Sequence, residues 1–167
     1  MADELKPIGV DATGYELLIN AVKDLLSSFP GLGEQVIYYE ELGTDSGIAF
    51  STDAGALIMS ETRDITGHIK QSCQFPFFVI YRTAATREYE KIRVQAFLDT
   101  LGKWLCKEPT TVNNEVERLG AYPELADGRK ITRITRSNSY ALTPNENNTQ
   151  DWLLPVTVQY THEFDLW

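Results

Sequence analysis

Hydrophobic residues recur along this chain with two distinct periods, and the change of period marks the elements. Leu18, Val22, Leu25 and Phe29 are spaced by four, three and four residues, which places them on one face of a helix. Thr13 and Glu16 precede that stripe in T-x-x-E order, the pattern of a capping box. Ser28-Phe29-Pro30-Gly31 ends it, because Pro30 cannot continue a helix and Gly31 permits a turn. A second helix is expected from near Thr86 to about Cys106. Its apolar stripe is Val94, Phe97, Leu98, Leu101 and Leu105, opposite a polar stripe of Glu88, Lys91, Gln95, Asp99 and Lys103. Two faces this different suit a helix lying on a sheet.

Elsewhere the period is two. Val36 to Glu41, Gly47 to Ser51 and Gly55 to Ser60 read as short strands of an antiparallel meander. His68 to Arg82 is longer. Ile69, Cys73, Phe75, Phe77, Val79 and Tyr81 fall on one side, and the other side turns from polar to apolar at Phe78 and Ile80. That predicts a strand whose far end is covered on both faces, with an edge or bulge at Pro76. The clearest alternation runs from Trp152 to Leu166. Lys130 to Leu142 is its expected partner, across a polar loop at 143–150. Between the second helix and these strands, Val112 to Leu119 is read as a short helix and Asp127-Gly128 as a turn. The expectation is one α+β domain over residues 1–167: a mixed, mainly antiparallel sheet with two main helices packed on it, and a flexible segment at 1–12.

Length agrees with this. At 167 residues, folding buries roughly 70% of the unfolded surface, enough for a core without disulfides or metal. The net charge of −9 has the wrong sign for displacing counterions from nucleic acid and for anionic lipid. No specific nucleic-acid binding and no membrane partner are expected. Met1 to Lys6 is charged and lacks the apolar stretch of an export signal.

The search for chemistry finds little. Cys73 and Cys106 fit neither a redox pair nor a zinc knuckle. His68 and His162 have no metal-ligand neighbours at a suitable spacing. Glu40, Glu41, Asp45 and Asp53 lack the order of a calcium loop and read as solvated turn charges. Gly31-Leu32-Gly33 follows a helix and lacks the context of a nucleotide loop. No catalytic residue, metal or cofactor is assigned. Two surface features remain. Arg129, Lys130, Arg133 and Arg136 cluster within eight residues; they protect an edge strand or dock on an acidic neighbour, with nucleic acid third because no aromatic residue interleaves them. The loop carrying Asn145, Asn147 and Asn148 is either plain surface or a second partner contact.

The run Phe75-Pro76-Phe77-Phe78-Val79-Ile80-Tyr81-Arg82 leads directly into the Arg87 to Leu105 helix. With the Asp127-Gly128-Arg129-Lys130-Ile131 turn and an aromatic-rich last strand, it resembles the small minor capsid or tail terminator proteins of phages infecting Gram-positive bacteria. The likeness is one of element order and covers most of the chain from Tyr15 onward. The HxxxDG motif of a chloramphenicol acetyltransferase, a label such proteins have sometimes carried, is absent. The resemblance implies a virion structural protein, assembled in the host cytoplasm. Six copies would form a ring that caps the tail tube and meets the head–tail connector or stopper, with DNA passing through. Alternatives are a head-side stopper or adaptor of the neck, a small α/β enzyme with a scattered site, and a cytosolic interaction module.

Overall fold

The computed structural model describes residues 6–84 and 87–167. In chain order the strands and helices are β1 (Gly9–Val10), α1 (Tyr15–Ser27), β2 (Ile37–Tyr39), β3 (Gly47–Thr52), β4 (Leu57–Arg63), β5 (His68–Ala84), α2 (Glu88–Leu105), β6 (Thr110–Val112), β7 (Glu115–Glu117), β8 (Arg129–Arg136), β9 (Tyr140–Ala141) and β10 (Thr149–Asp165). The fold is α+β, with a mainly antiparallel sheet and two helices. The Thr86 start expected for α2 lies outside the described residues.

The sheet is organised around β5 and β10. Each has 17 residues, and they pair antiparallel from Thr149↔Ala84 to Asp165↔His68. On the far side of β5, β3 covers residues 77–82 and β4 covers 69–74. On the far side of β10, β9 covers 152–153 and β8 covers 156–162. Both outer lines are therefore broken, and a proline faces each break. The Pro76 carbonyl accepts from Asp53 N at 3.3 Å, between β3 and β4. The Pro155 carbonyl accepts from Ser137 N at 3.0 Å, between β8 and β9. A strand residue directs its N–H and C=O to the same side, so each proline's missing donor falls where no strand would accept it. Prolines can thus occupy two central strands.

One face of this sheet makes the core. Phe75, Phe77 and Val79 of β5 and Leu154, Val156, Val158 and Tyr160 of β10 are almost fully buried. They form one cluster with Leu18, Val22 and Leu26 of α1 and Val94, Leu98, Leu101 and Leu105 of α2. Phe29, just beyond α1, closes the gap between the helices and packs on Phe97 and Trp104 of α2 at ring distances of 5.8 and 5.3 Å.

Several expectations need correction. β3 and β4 do not pair with each other. They lie end to end along one edge of β5, and β2 runs parallel to β3 (Ile37↔Ile48), so there is no antiparallel meander. The helix expected over 112–119 is not formed; most of that segment belongs to a hairpin, β6–β7, over residues 110–117. Asn113 and Asn114 both have positive φ, 52° and 66°, as a two-residue hairpin turn requires. The expected 130–142 strand is two strands, β8 and β9. Thr13 and Glu16 form no capping box: the N-cap is Gly14, and the Thr13 hydroxyl turns to Asp11 and Arg129. Of the segment 1–12 expected to be flexible, Gly9–Val10 pairs with β4 and Asp11 is buried.

Candidate functional site

Strand geometry divides the four clustered cations. Arg129 is only 5% exposed. Its Nε donates to Asp11 Oδ2 at 3.0 Å, and its Nη2 donates to Asp11 Oδ1 and Thr13 Oγ1, each at 2.8 Å. Tyr160 Oη donates to Asp11 Oδ2 at 2.7 Å, and Gly14 N donates to Oδ1 at 3.1 Å. Burial alone would raise the Asp11 carboxyl. The hydrogen bonds from Arg129 and Tyr160, the Arg129 charge and the Gly14 amide outweigh it and hold the group down to about 2. Burial, and then the bond to Asp11, push the Tyr160 phenol far up. Arg129 is thus a structural clamp on the segment before α1 and offers nothing to a partner, which corrects its place in the expected interface.

Arg136 sits at the edge of the helix layer, its Nη2 3.7 Å from Glu108 Oε2. Its side chain lies against Gly102 of α2, where a Cβ would collide with Arg136 Cδ. Lys130 and Arg133 are the exposed pair. They stand opposite Thr161 and Gln159, and Thr132 is an extra residue bulged between Ile131↔Tyr160 and Arg133↔Gln159. The bulge lets Ile131 and Ile134 both reach the core, three residues apart. Among the described residues neither Lys130 nor Arg133 has an ion-pair partner.

The three asparagines are exposed, and two of their side chains hold the turn. Asn145 Nδ2 donates to Thr149 Oγ1 at 3.0 Å, and that hydroxyl donates to Asn147 Oδ1 at 2.6 Å. Asn148 has a φ of 60°, a left-handed position that asparagine tolerates. Asn147 Nδ2 also donates to Thr44 O at 3.2 Å, which ties the loop to the β2–β3 connection. Nearby, Arg82 grips Asp151 with two hydrogen bonds of 2.7 and 3.0 Å and donates to Gly43 O at 3.1 Å.

The second sheet face was not singled out from sequence. Phe78 and Ile80, expected to be covered, stand partly exposed beside Leu153 and Pro155, their partners in β10. Both helices pack on the other side, and among the described residues this apolar centre is only partly covered, with Glu40, Leu42 and Ala49 beside Ile80. The signal was present in the sequence: Leu153 and Pro155 interrupt the otherwise polar outward positions of β10 at the same level as Phe78 and Ile80.

A cavity of 720 Å³ is a half-open groove beside β8 lined by Lys107, Tyr122, Glu124, Leu125, Lys130 and Ile131 among others. Its polar groups do not converge. Lys107 lies over the Tyr122 ring at 4.4 Å, and Tyr122 Oη donates to Leu105 O at 2.8 Å. His68 is half-exposed and contacts Asp165 at 2.8 Å and Glu163 at 3.4 Å; those hydrogen bonds raise its pKa. His162 is near Gln71 and is lowered, by burial first and then by the Arg129 charge. Burial pushes the Cys73 thiol up to about 11. Among the described residues no three His, Cys, Asp or Glu side chains group as a metal site, and no helix is long and apolar enough to cross a membrane. No protein-family model matches the chain, and no curated protein matches it.

Proposed function

We propose that this chain is a structural subunit of a phage tail: one of six in a ring that caps the tail tube and joins it to the head-side connector. The observation that supports this best is the β5–β10 ribbon, whose two 17-residue strands carry a partly exposed apolar patch on the face away from the helices. Seventeen residues of strand span about 55 Å. At the ribbon's far end, Ile65 is fully exposed and Trp167 is 81% exposed. At its middle, Phe78, Ile80, Leu153 and Pro155 face outward. Isolated surface apolar residues mean little, but a contiguous apolar patch on a sheet face marks an association surface.

The element order that resembles tail terminators gives the surface its place. A ring around passing DNA needs interfaces and a wall that does not hold phosphate, and the charge of −9 suits such a wall. The reading is tested by measuring mass in solution across a range of concentrations, alone and with purified tail tubes. Growth to a discrete closed oligomer, or capture on tubes at six copies per end, is the expected result. A monomer under all of these conditions contradicts it.

A further inference from the structure

The two outer borders of the sheet carry opposite charge. Between Lys23 and Arg63 the chain has no lysine or arginine, while Glu34, Glu40, Glu41 and Asp45 flank β2. All four are exposed, and among the described residues none is in an ion pair with a cation. β2 is the outermost strand on the β3 side of β5. Between the acids lie Val36, just before β2, and Tyr38 within it, 54% and 51% exposed.

The opposite border has the complementary surface. β8 is outermost on the β10 side, and beside it runs the 720 Å³ groove, with Pro123, Leu125 and Ile131 among its lining and Lys107, Lys130 and the exposed Glu124 among its charged groups. Arg133 extends the cationic line along β8. Apolar residues flanked mainly by acids thus stand at one border, and a groove of mixed polarity with Lys107, Lys130 and Arg133 outnumbering Glu124 stands at the other. The two patches differ in kind and lie at diagonally opposite corners of one sheet. A two-fold dimer joins a patch to itself, whereas unlike complementary patches make a head-to-tail contact that closes into a ring or grows into a filament.

We propose that the β2 border of one copy, with Val36, Tyr38, Glu40 and Glu41, seats in the groove beside β8 of the next copy, against Lys107, Lys130 and Arg133. This rests on the ring reading above and names the surfaces that build it. The charges set register and exclude like-to-like pairing, and the apolar residues supply the buried contact.

The test uses the full chain in two charge-reversed forms, Lys130→Glu with Arg133→Glu, and Glu40→Lys with Glu41→Lys. All four positions are exposed, and circular dichroism with thermal melting verifies that each form folds. Each form alone should need at least about tenfold more protein to associate, since like charges then face each other. An equimolar mixture should associate as the parent does, because an all-acidic form can alternate with an all-basic one. Raising salt should weaken the parent's assembly. A parent that assembles while both reversed forms assemble equally well overturns this interface and leaves the ring reading standing. Reversed forms that fail singly and also fail when mixed overturn the pairing of these two borders. A parent that stays monomeric even on tail tubes overturns the ring reading and this interface with it.

Discussion

Asp11 accepts hydrogen bonds from Arg129, Tyr160 and the Gly14 amide while almost wholly buried, so its ionised form is strongly preferred in the folded state. Its pKa falls from 3.8 to about 2 on folding. A group lowered in this way stabilises the fold above its unfolded value, and the contribution disappears as pH drops through the folded one. About 2 kcal/mol should be lost between roughly pH 4 and pH 2. Asp11→Asn should remove that dependence. It should also destabilise the protein at neutral pH by about 3–5 kcal/mol, because Arg129 is left buried without its counter-charge. Thermal unfolding of both proteins from pH 2 to 7 measures this, and parallel curves would contradict the clamp. None of it was legible in the sequence. Arg129 reads as a surface cation because three others stand near it, and its partner lies 118 residues away. Thr13 and Glu16 have the spacing of a capping box, yet Arg129 competes for the Thr13 hydroxyl.

The elements with a strong, unbroken period were legible: α1, α2, β5 and β10 all lie where their apolar spacing places them. The misread ones depend on partners the period does not reveal. β3 and β4 look like neighbours in a meander because a turn separates them, but β5 is long enough to take both along one edge. β6–β7 was obscured by its shortness, although Asn113-Asn114 between Thr111-Val112 and Glu115-Val116 carries the signal of a tight hairpin. Pro76 was readable as an edge signal and is one locally, since it faces the gap between two strands. The division into a packed face and a partly exposed face predicts opposite outcomes for two similar substitutions. Leu98 of α2 is fully buried, so Leu98→Asp places an unpaired charge in the core and should leave the protein unfolded. Phe78→Asp on the face away from the helices should fold, with a melting temperature within a few degrees of the parent, keep its self-association and lose binding to tail tubes. Circular dichroism and co-sedimentation with tail tubes on both variants separate the two faces. A folded Leu98→Asp or an unfolded Phe78→Asp would reverse their assignment.

Across the whole molecule the helices pack on one side of the sheet only. Helices and core aromatics cover one face, the other keeps a partly exposed apolar centre, and the two lateral borders carry unlike charge. In the proposed ring the borders would meet the neighbouring copies, and the face away from the helices and the end of the ribbon would meet the tube or the connector. The fold class was legible at this scale, because two helical and several period-two stretches leave few other ways to bury the apolar residues. The partly exposed apolar patch was not, because Phe78 and Ile80 look like core residues until both helices are found on the opposite face. Electron microscopy of assembled tails, with this chain labelled, tests the central claim most directly. The account predicts a six-fold ring of label at the head-proximal end of the tube, one ring per tail. Label elsewhere along the tail, a single copy per tail, or tails that lack the chain and still join heads would contradict it.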